Sequence, residues 1–423
     1  MKLHSKIITI TVLACLLAAC KKDKNWTGQS DFFIKYFGNS VNDHGYDLKQ
    51  TSDGGFIIVG TTTPDKTNKT NTDVILIKTD DKGNKQWSKT FGGPNADIGK
   101  SVQITSDEGY VVLGTYSKTT DKDMYLIRTD AGGNLMWFDT LGGKYNQVGN
   151  CVQVTSNGSF VLAGSSDSSN SNLSTLYLVK ANANGSPVWS TKIPFDVGNV
   201  DSYYGNYLQL IDDNTFFIVG LSSGSGNKDV WALIGYKQSG SPANIPPSFS
   251  GQYYGNSGNA EGLSAQKLTN DEYVVVGYQG NSLYLADLIN TSTSTPQPAI
   301  NWQKTQSLPP GAISTQGRSI KLSSDGGFII IGTANKGGGN TDQYLLKTDV
   351  NGNKIWDQTF GGTGADEGEV VIQTKDGGYA LIGSSDLESN TVMTLIKVTS
   401  EGIFVSFCLK FSSAGLQIGH QLA

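Results

Sequence analysis

Gly54-Gly55-Phe56-Ile57-Ile58-Val59-Gly60 decides the fold, because the chain writes this stretch, with variation, seven times. Tyr110-Val111-Val112-Leu113-Gly114 and Phe328-Ile329-Ile330-Ile331-Gly332 are further copies, and the others close at Gly164, Gly220, Gly277 and Gly383. Successive closing glycines lie 54, 50, 56, 57, 55 and 51 residues apart. A period near fifty marks an array of one supersecondary unit. Each apolar run is four or five residues long, glycine-bounded and rich in Val, Ile, Phe and Tyr. Such runs read as strands and are too short for helices.

Outward from this stretch, residues 87–137 show a whole unit. Trp87-Ser88-Lys89-Thr90-Phe91-Gly92-Gly93 alternates polar and apolar; Asp97-Ile98-Gly99 leads into Ser101-Val102-Gln103-Ile104-Thr105. The turn Asp107-Glu108-Gly109 feeds Tyr110–Leu113, and Met124–Arg128 precedes the turn Asp130-Ala131-Gly132-Gly133-Asn134 before Trp137. That predicts four strands per unit, the middle two buried on both faces. Sheets apolar on both faces must be covered on both sides, and seven of them packed around an axis satisfy this. The expected fold is all-β: a seven-bladed β-propeller of four-stranded antiparallel blades over residues 31–402.

The ends predict how the ring closes. Phe33-Ile34-Lys35-Tyr36-Phe37-Gly38 matches Trp87–Gly92 but has no three strands before it. The seventh unit supplies three strands and loses the pattern at Glu401-Gly402. The N-terminal strand should therefore complete the last blade and hide both edges. Residues 403–423 form an atypical tail that competes for the same edge. Units four and five are irregular: Trp189 and Trp302 are 113 residues apart, so one outer-strand tryptophan is missing between them, and Ser250–Gly255 takes its place. Pro242, Pro246, Pro247, Pro296 and Pro298 enlarge two connections that are tight elsewhere.

Composition agrees. The chain has 52 glycines and only 16% charged residues, the balance of short strands joined by polar turns. A net charge of -5 without a basic tract beyond the first residues argues against nucleic acid. Lys2 and Lys6 precede an apolar core, Ile7–Leu17, too short to span a bilayer, so residues 1–19 read as a signal peptide. Leu17-Ala18-Ala19-Cys20 resembles the lipobox of bacterial lipoproteins. The resemblance implies cleavage before Cys20 and its acylation, palmitate included; several chains on one residue anchor stably. Residues 20–30, with Lys21-Lys22-Asp23-Lys24-Asn25, look like the tether of Bacteroidota outer-membrane lipoproteins. This implies outer-membrane attachment, with surface and periplasmic orientations both open. Cys151 reads as a buried filler, leaving Cys408 as its one possible disulfide partner.

Trp356–Gly362, Asp366-Glu367-Gly368, Thr374–Tyr379 and Leu345-Leu346-Lys347-Thr348-Asp349 resemble the seven-bladed propeller repeats of secreted bacterial proteins, over residues 32–400. Asp80–Trp87 is similar to the tryptophan-docking motif of quinoprotein propellers. No adjacent cysteine pair accompanies it, so no quinone or other cofactor is expected.

Chemistry is sparse. Of three histidines only His44 lies within the ring, beside Asp43, where it reads as a solvated loop residue; no catalytic relay or multi-histidine metal site follows. Asp53, Asp107, Asp325 and Asp376, with Asp80, Asp130 and Asp349, are explained by turns. Trp87, Trp137, Trp189, Trp302 and Trp356 are expected to pack between blades. The connections after the second and fourth strands are the longer ones and share one face. That face is expected to carry Asp43, His44, Asp97, Asp201, Glu261 and Asp366 near the channel, with Tyr203, Tyr204, Tyr253 and Tyr254 beside them. Gln147 and Gln316 replace the acid in two units, which argues against a symmetric metal ring. The function expected is a non-catalytic, monomeric binding or interaction module taking a glycan or envelope protein. The alternatives are a polysaccharide-active enzyme using Asp201 and Glu261, and a periplasmic scaffold for outer-membrane assembly.

Overall fold

A computed structural model describes residues 32–38, 42–64, 70–167, 173–193, 202–224, 227–236, 248–254, 259–269, 271–290, 298–387, 390–403, 410–412 and 415–417. Among these residues there is no helix, and seven four-stranded antiparallel sheets follow one another along the chain. We call them blades 1 to 7: residues 44–91, 98–141, 147–193, 202–254, 260–305, 314–360, and 366–398 completed by Phe33–Phe37. Each inner strand lies beside those of the two flanking blades, and that of blade 7 lies beside that of blade 1.

The core proves the closure. The described residues form seven apolar clusters, one between each pair of neighbouring blades. An open row of seven sheets would have one interface fewer than it has sheets. The closing cluster brings Phe37, Leu48, Phe56 and Ile58 against Ala380, Ile382, Met393 and Leu395. Strand Phe33–Phe37 pairs with Asn390–Val398 in the register Phe33↔Lys397 to Phe37↔Met393, as its sequence match to Trp87–Phe91 predicts. It holds the edge. In the tail, Lys410–Ser412 pairs instead with Gly415–Gln417.

Repeated residues have repeated causes. Asp53-Gly54-Gly55 joins the first two strands of blade 1. Gly54 takes φ +85°, which costs glycine nothing. A β-carbon on Gly55 would stand 2.1 Å from Thr79 O and 2.8 Å from the Lys78 ammonium, so the second glycine makes room for that carbonyl and for the lysine that reaches Asp53 at 2.7 Å. The same buried cation meets the same turn acid in Arg128–Asp107, Lys347–Asp325 and Lys397–Asp376. Tryptophans fasten neighbours. A β-carbon on Gly133 would lie 2.5 Å from Trp87, and Gly185, Gly352 and Gly402 meet Trp137, Trp302 and Trp356 alike. Phe33 takes the tryptophan's place over Gly83, joining blade 7 to blade 1.

Candidate functional site

The glycine that closes each apolar run faces a second glycine on the inner strand. The pairs are Gly45↔Gly60, Gly99↔Gly114, Gly149↔Gly164, Gly205↔Gly220, Gly262↔Gly277, Gly317↔Gly332 and Gly368↔Gly383. Immediately after each inner glycine the register slips by one residue, a β-bulge at the same place in all seven blades. A bulge leaves one residue unpaired and re-aims its side chain. Here the unpaired residues are Tyr46, Lys100, Asn150, Asn206, Leu263, Arg318 and Glu369, and all seven line one cavity of about 440 Å³. The residues that follow them, from Asp47 to Val370, form its second tier. Lys49, Gln103, Gln153, Gln209 and Lys321 close its far end.

The wall is tied together from blade to blade. Asp47 Oδ2 accepts from Val102 N at 2.9 Å, and its Oδ1 from Lys49 Nζ at 2.6 Å. Asn150 Nδ2 donates to Gly205 O and Asn206 Nδ2 to Gly262 O, each at 2.9 Å. The Lys100 ammonium sits 3.4 Å from the centroid of the Tyr46 ring, a cation–π contact. Arg318 Nε is buried and has no hydrogen-bond partner among the described residues.

Electrostatics separate binding groups from reactive ones. Burial, then Glu369 and Glu367, push the Tyr46 hydroxyl up to about 12, so it stays a neutral donor rather than a base. Burial pushes the Cys151 thiol up, and its Sγ lies 3.5 Å from Leu208 O, which suits an inert filler. Cys151 is a free thiol. Glu369 raises Arg318 above its already high value, while burial lowers Lys100 and Lys321. The channel therefore presents fixed charges and neutral donors.

The residues picked out from sequence fall in several places. Asp43 and Asp97 are 0% exposed and Asp366 4%. Asp97 accepts from Gly93 N and Ser117 N, both at 2.7 Å, and Asp366 accepts from Gly362 N at 2.9 Å. Asp97 and Asp366 thereby hold the Gly-Gly loops that enter blades 2 and 7. Gln147 does the same through Gly143 N at 2.9 Å, which explains why an amide serves there. Counted from the bulge glycine, Thr315 rather than Gln316 occupies the acid's place in blade 6. His44 is not a solvated loop residue. It opens the inner strand of blade 1, half-buried, with Nδ1 3.1 Å from Ser384 Oγ and its ring stacked 6.1 Å from Tyr46.

Tyr203 is buried in the core between blades 3 and 4, whereas Tyr204 shares His44's position just before a bulge glycine. Glu261 shares it too; its oxygens accept from Asn206 Nδ2 at 3.0 Å and Tyr278 Oη at 3.1 Å. Tyr253 and Tyr254 lie on the outermost strand of blade 4, not on the channel. Asp201, Cys20, Cys408 and the proline-rich stretches 237–247 and 291–297 lie outside the described residues. The bulge residues were missed in the sequence, although each is flagged there by the inner-strand glycine before it.

These sheets and their closed ring define the class: a β-propeller. No protein-family model matches this chain, and no curated protein matches it in sequence. Among solved structures it is similar to the periplasmic gluconolactonase PpgL of Pseudomonas aeruginosa, at 14% identity over 81% of this chain and 95% of that one, TM-score 0.49. It is also similar to the polysaccharide lyase Uly1, at 12% identity over 90% and 94%, TM-score 0.48. Sqt1 from Chaetomium thermophilum matches at 10% identity over 88% and 98%, TM-score 0.45. Likeness at these identities extends to the fold alone.

Proposed function

We propose that this propeller is a lipid-anchored binding module of the bacterial envelope that takes a small polar ligand, or the end of a glycan, into its central channel. One observation carries the reading. The glycine before each bulge is the same in seven blades, while the residue after it is Tyr, Lys, Asn, Asn, Leu, Arg or Glu. A residue that only maintained the fold would repeat with the blade, as the glycines do; a symmetric frame with an asymmetric lining is what selective recognition needs. The anchor rests on Leu17-Ala18-Ala19-Cys20 and the charged tether. Hydrolysis by Asp201 and Glu261 draws no support from Glu261, both of whose oxygens are engaged within the wall.

The test is saturation-transfer-difference NMR of the full-length protein in detergent against mono- and oligosaccharides, with Leu263→Trp to fill the cavity. At least one saccharide should give signal, and L263W should abolish it without shifting Tm. Silence across the panel, or signals unchanged by L263W, overturns the channel reading. Protease shaving of intact cells, with Cys20→Ala as control, tests the anchor and its orientation. A C20A form that still sediments with membranes would refute it.

A further inference from the structure

Resting on the channel reading, we infer that the ligand is a sugar acid, a polyhydroxylated molecule with one carboxylate, and that Arg318 and Lys100 hold that carboxylate. The chain carries a net charge of -5, yet the cavity runs the other way. Lys49, Lys100, Arg318 and Lys321 line it against Asp47 and Glu369, an excess of two positive charges. A cleft of one sign between low-dielectric walls concentrates ions of the other sign.

Not all four cations are available. Lys49 is held by Asp47 at 2.6 Å, and Lys321 lies 3.5 Å from Tyr207 Oη at the far end. Arg318 and Lys100 stand in the bulge tier, three blades apart on the ring, with Glu369 and Tyr46 on the two blades between them. The Lys100 ammonium rests on an aromatic face, and Arg318 Nε is buried with no hydrogen-bond partner among the described residues. Such a guanidinium offers a planar fork whose natural complement is a carboxylate. Burial also lowers Lys100, the sign of a cation its surroundings compensate incompletely. Glu369, Glu367 and Glu261 all act on Arg318, so a doubly charged phosphate would meet more repulsion there than a singly charged carboxylate.

The rest of the wall sets the body of the ligand. Asn150 Nδ2 donates once and Asn206 Nδ2 twice to the next blade, which leaves their amide oxygens to accept from hydroxyl groups. Leu263 and Val370 are the only aliphatic lining side chains among the described residues, too little for an apolar body. The volume of about 440 Å³ lies in the lower part of the range of small-molecule sites, roughly 300–1,000 Å³, and suits one or two sugar rings.

Calorimetric titration of the full-length protein in detergent decides the matter, with glucuronate, galacturonate and gluconate against glucose and glucose 6-phosphate. At least one sugar acid should bind about tenfold more tightly than glucose and no more weakly than the phosphate. Arg318→Gln and Lys100→Gln should each lose about tenfold at unchanged Tm, and Arg318→Lys should recover part of the loss. If R318Q fails to fold, K100Q carries the test. Glucose binding as tightly as the acids, with L263W abolishing both, refutes the carboxylate assignment and leaves the channel reading intact. Phosphate preferred by tenfold or more, or acid binding unaffected by K100Q, refutes it as well. No binding by any sugar at millimolar concentration refutes both.

Discussion

Gly332 faces Gly317 across the two inner strands of blade 6, and a β-carbon on Gly332 would stand 1.7 Å from the carbonyl oxygen of Gln316. The bulge after Gly317 presses that carbonyl onto the neighbouring strand, so the glycine that ends each apolar run is demanded by the feature that lines the channel. Gly332→Ala is expected to cost about 3 kcal/mol or more, because backbone on both sides blocks relaxation. Gly143→Ala, at a site with open space around it, should stay within about 0.5 kcal/mol. Denaturant titration of both variants checks the pair; similar midpoints would contradict the close approach.

Asp97 bridges two backbone amides, Gly93 N in a part-buried loop and Ser117 N in the core. Asp97→Ala should cost about 2–4 kcal/mol by leaving Gly93 N and Ser117 N unsatisfied. Asp97→Gln should cost less, since Gln147 makes the equivalent bond in blade 3. Thermal unfolding ranks the two, and a reversed order would show that the charge rather than the acceptor matters.

Glu108 sits at φ +62° where blades 1, 6 and 7 have Gly54, Gly326 and Gly377. Its one side-chain bond here, from Ser52 Oγ at 2.7 Å, is exposed. Glu108→Gly is therefore expected to stabilise the protein by about 0.5–1 kcal/mol through relief of strain. A lower denaturation midpoint would mean that the unfolded chain's extra freedom outweighs that relief.

Acid should weaken the ring through its turn carboxylates. Burial alone would raise Asp53, but bonds from Lys78, Thr51 and Gly55 N outweigh it and hold the carboxyl down at about 2, against 3.8 for a free aspartate. Asp107 is lowered chiefly by Thr105 and then Arg128. Asp325 and Asp376, despite burial, are lowered by Lys347 and Lys397. Folded values below unfolded ones mean that this stability is complete above the unfolded value and disappears as pH falls through the folded one. Tm should drop between about pH 4 and pH 2, modestly per site because these acids are half exposed. The quadruple Asp→Asn variant should show a flatter slope across that window, and an unchanged slope would exclude these pairs as the source.

Much of the fold was legible because local backbone demands write themselves in residue type. Asp-Gly-Gly announces a left-handed turn residue followed by a close approach, and the tryptophan spacing announces contacts onto turn glycines. The match of Phe33–Phe37 to Trp87–Phe91 announced the closing strand. The acids of the candidate site were misjudged for the same reason. Asp97 and Asp366 recur because a loop amide recurs, and recurrence in a repeat argues for structure before ligand.

The sequence by itself determined how many blades there are, which runs form strands, where the chain turns and which strand closes the ring, since each is governed by residues near one another along the chain. Only the tertiary structure decided which side chains meet in the channel. His44 reaches Ser384, and Lys100, Arg318 and Glu369 share one cavity, although whole blades of sequence separate them. The physical reason is the bulge. It turns one residue per blade toward a common axis; the glycine before it marks that residue along the chain, but which side chains it then meets is fixed only by the ring that defines the axis.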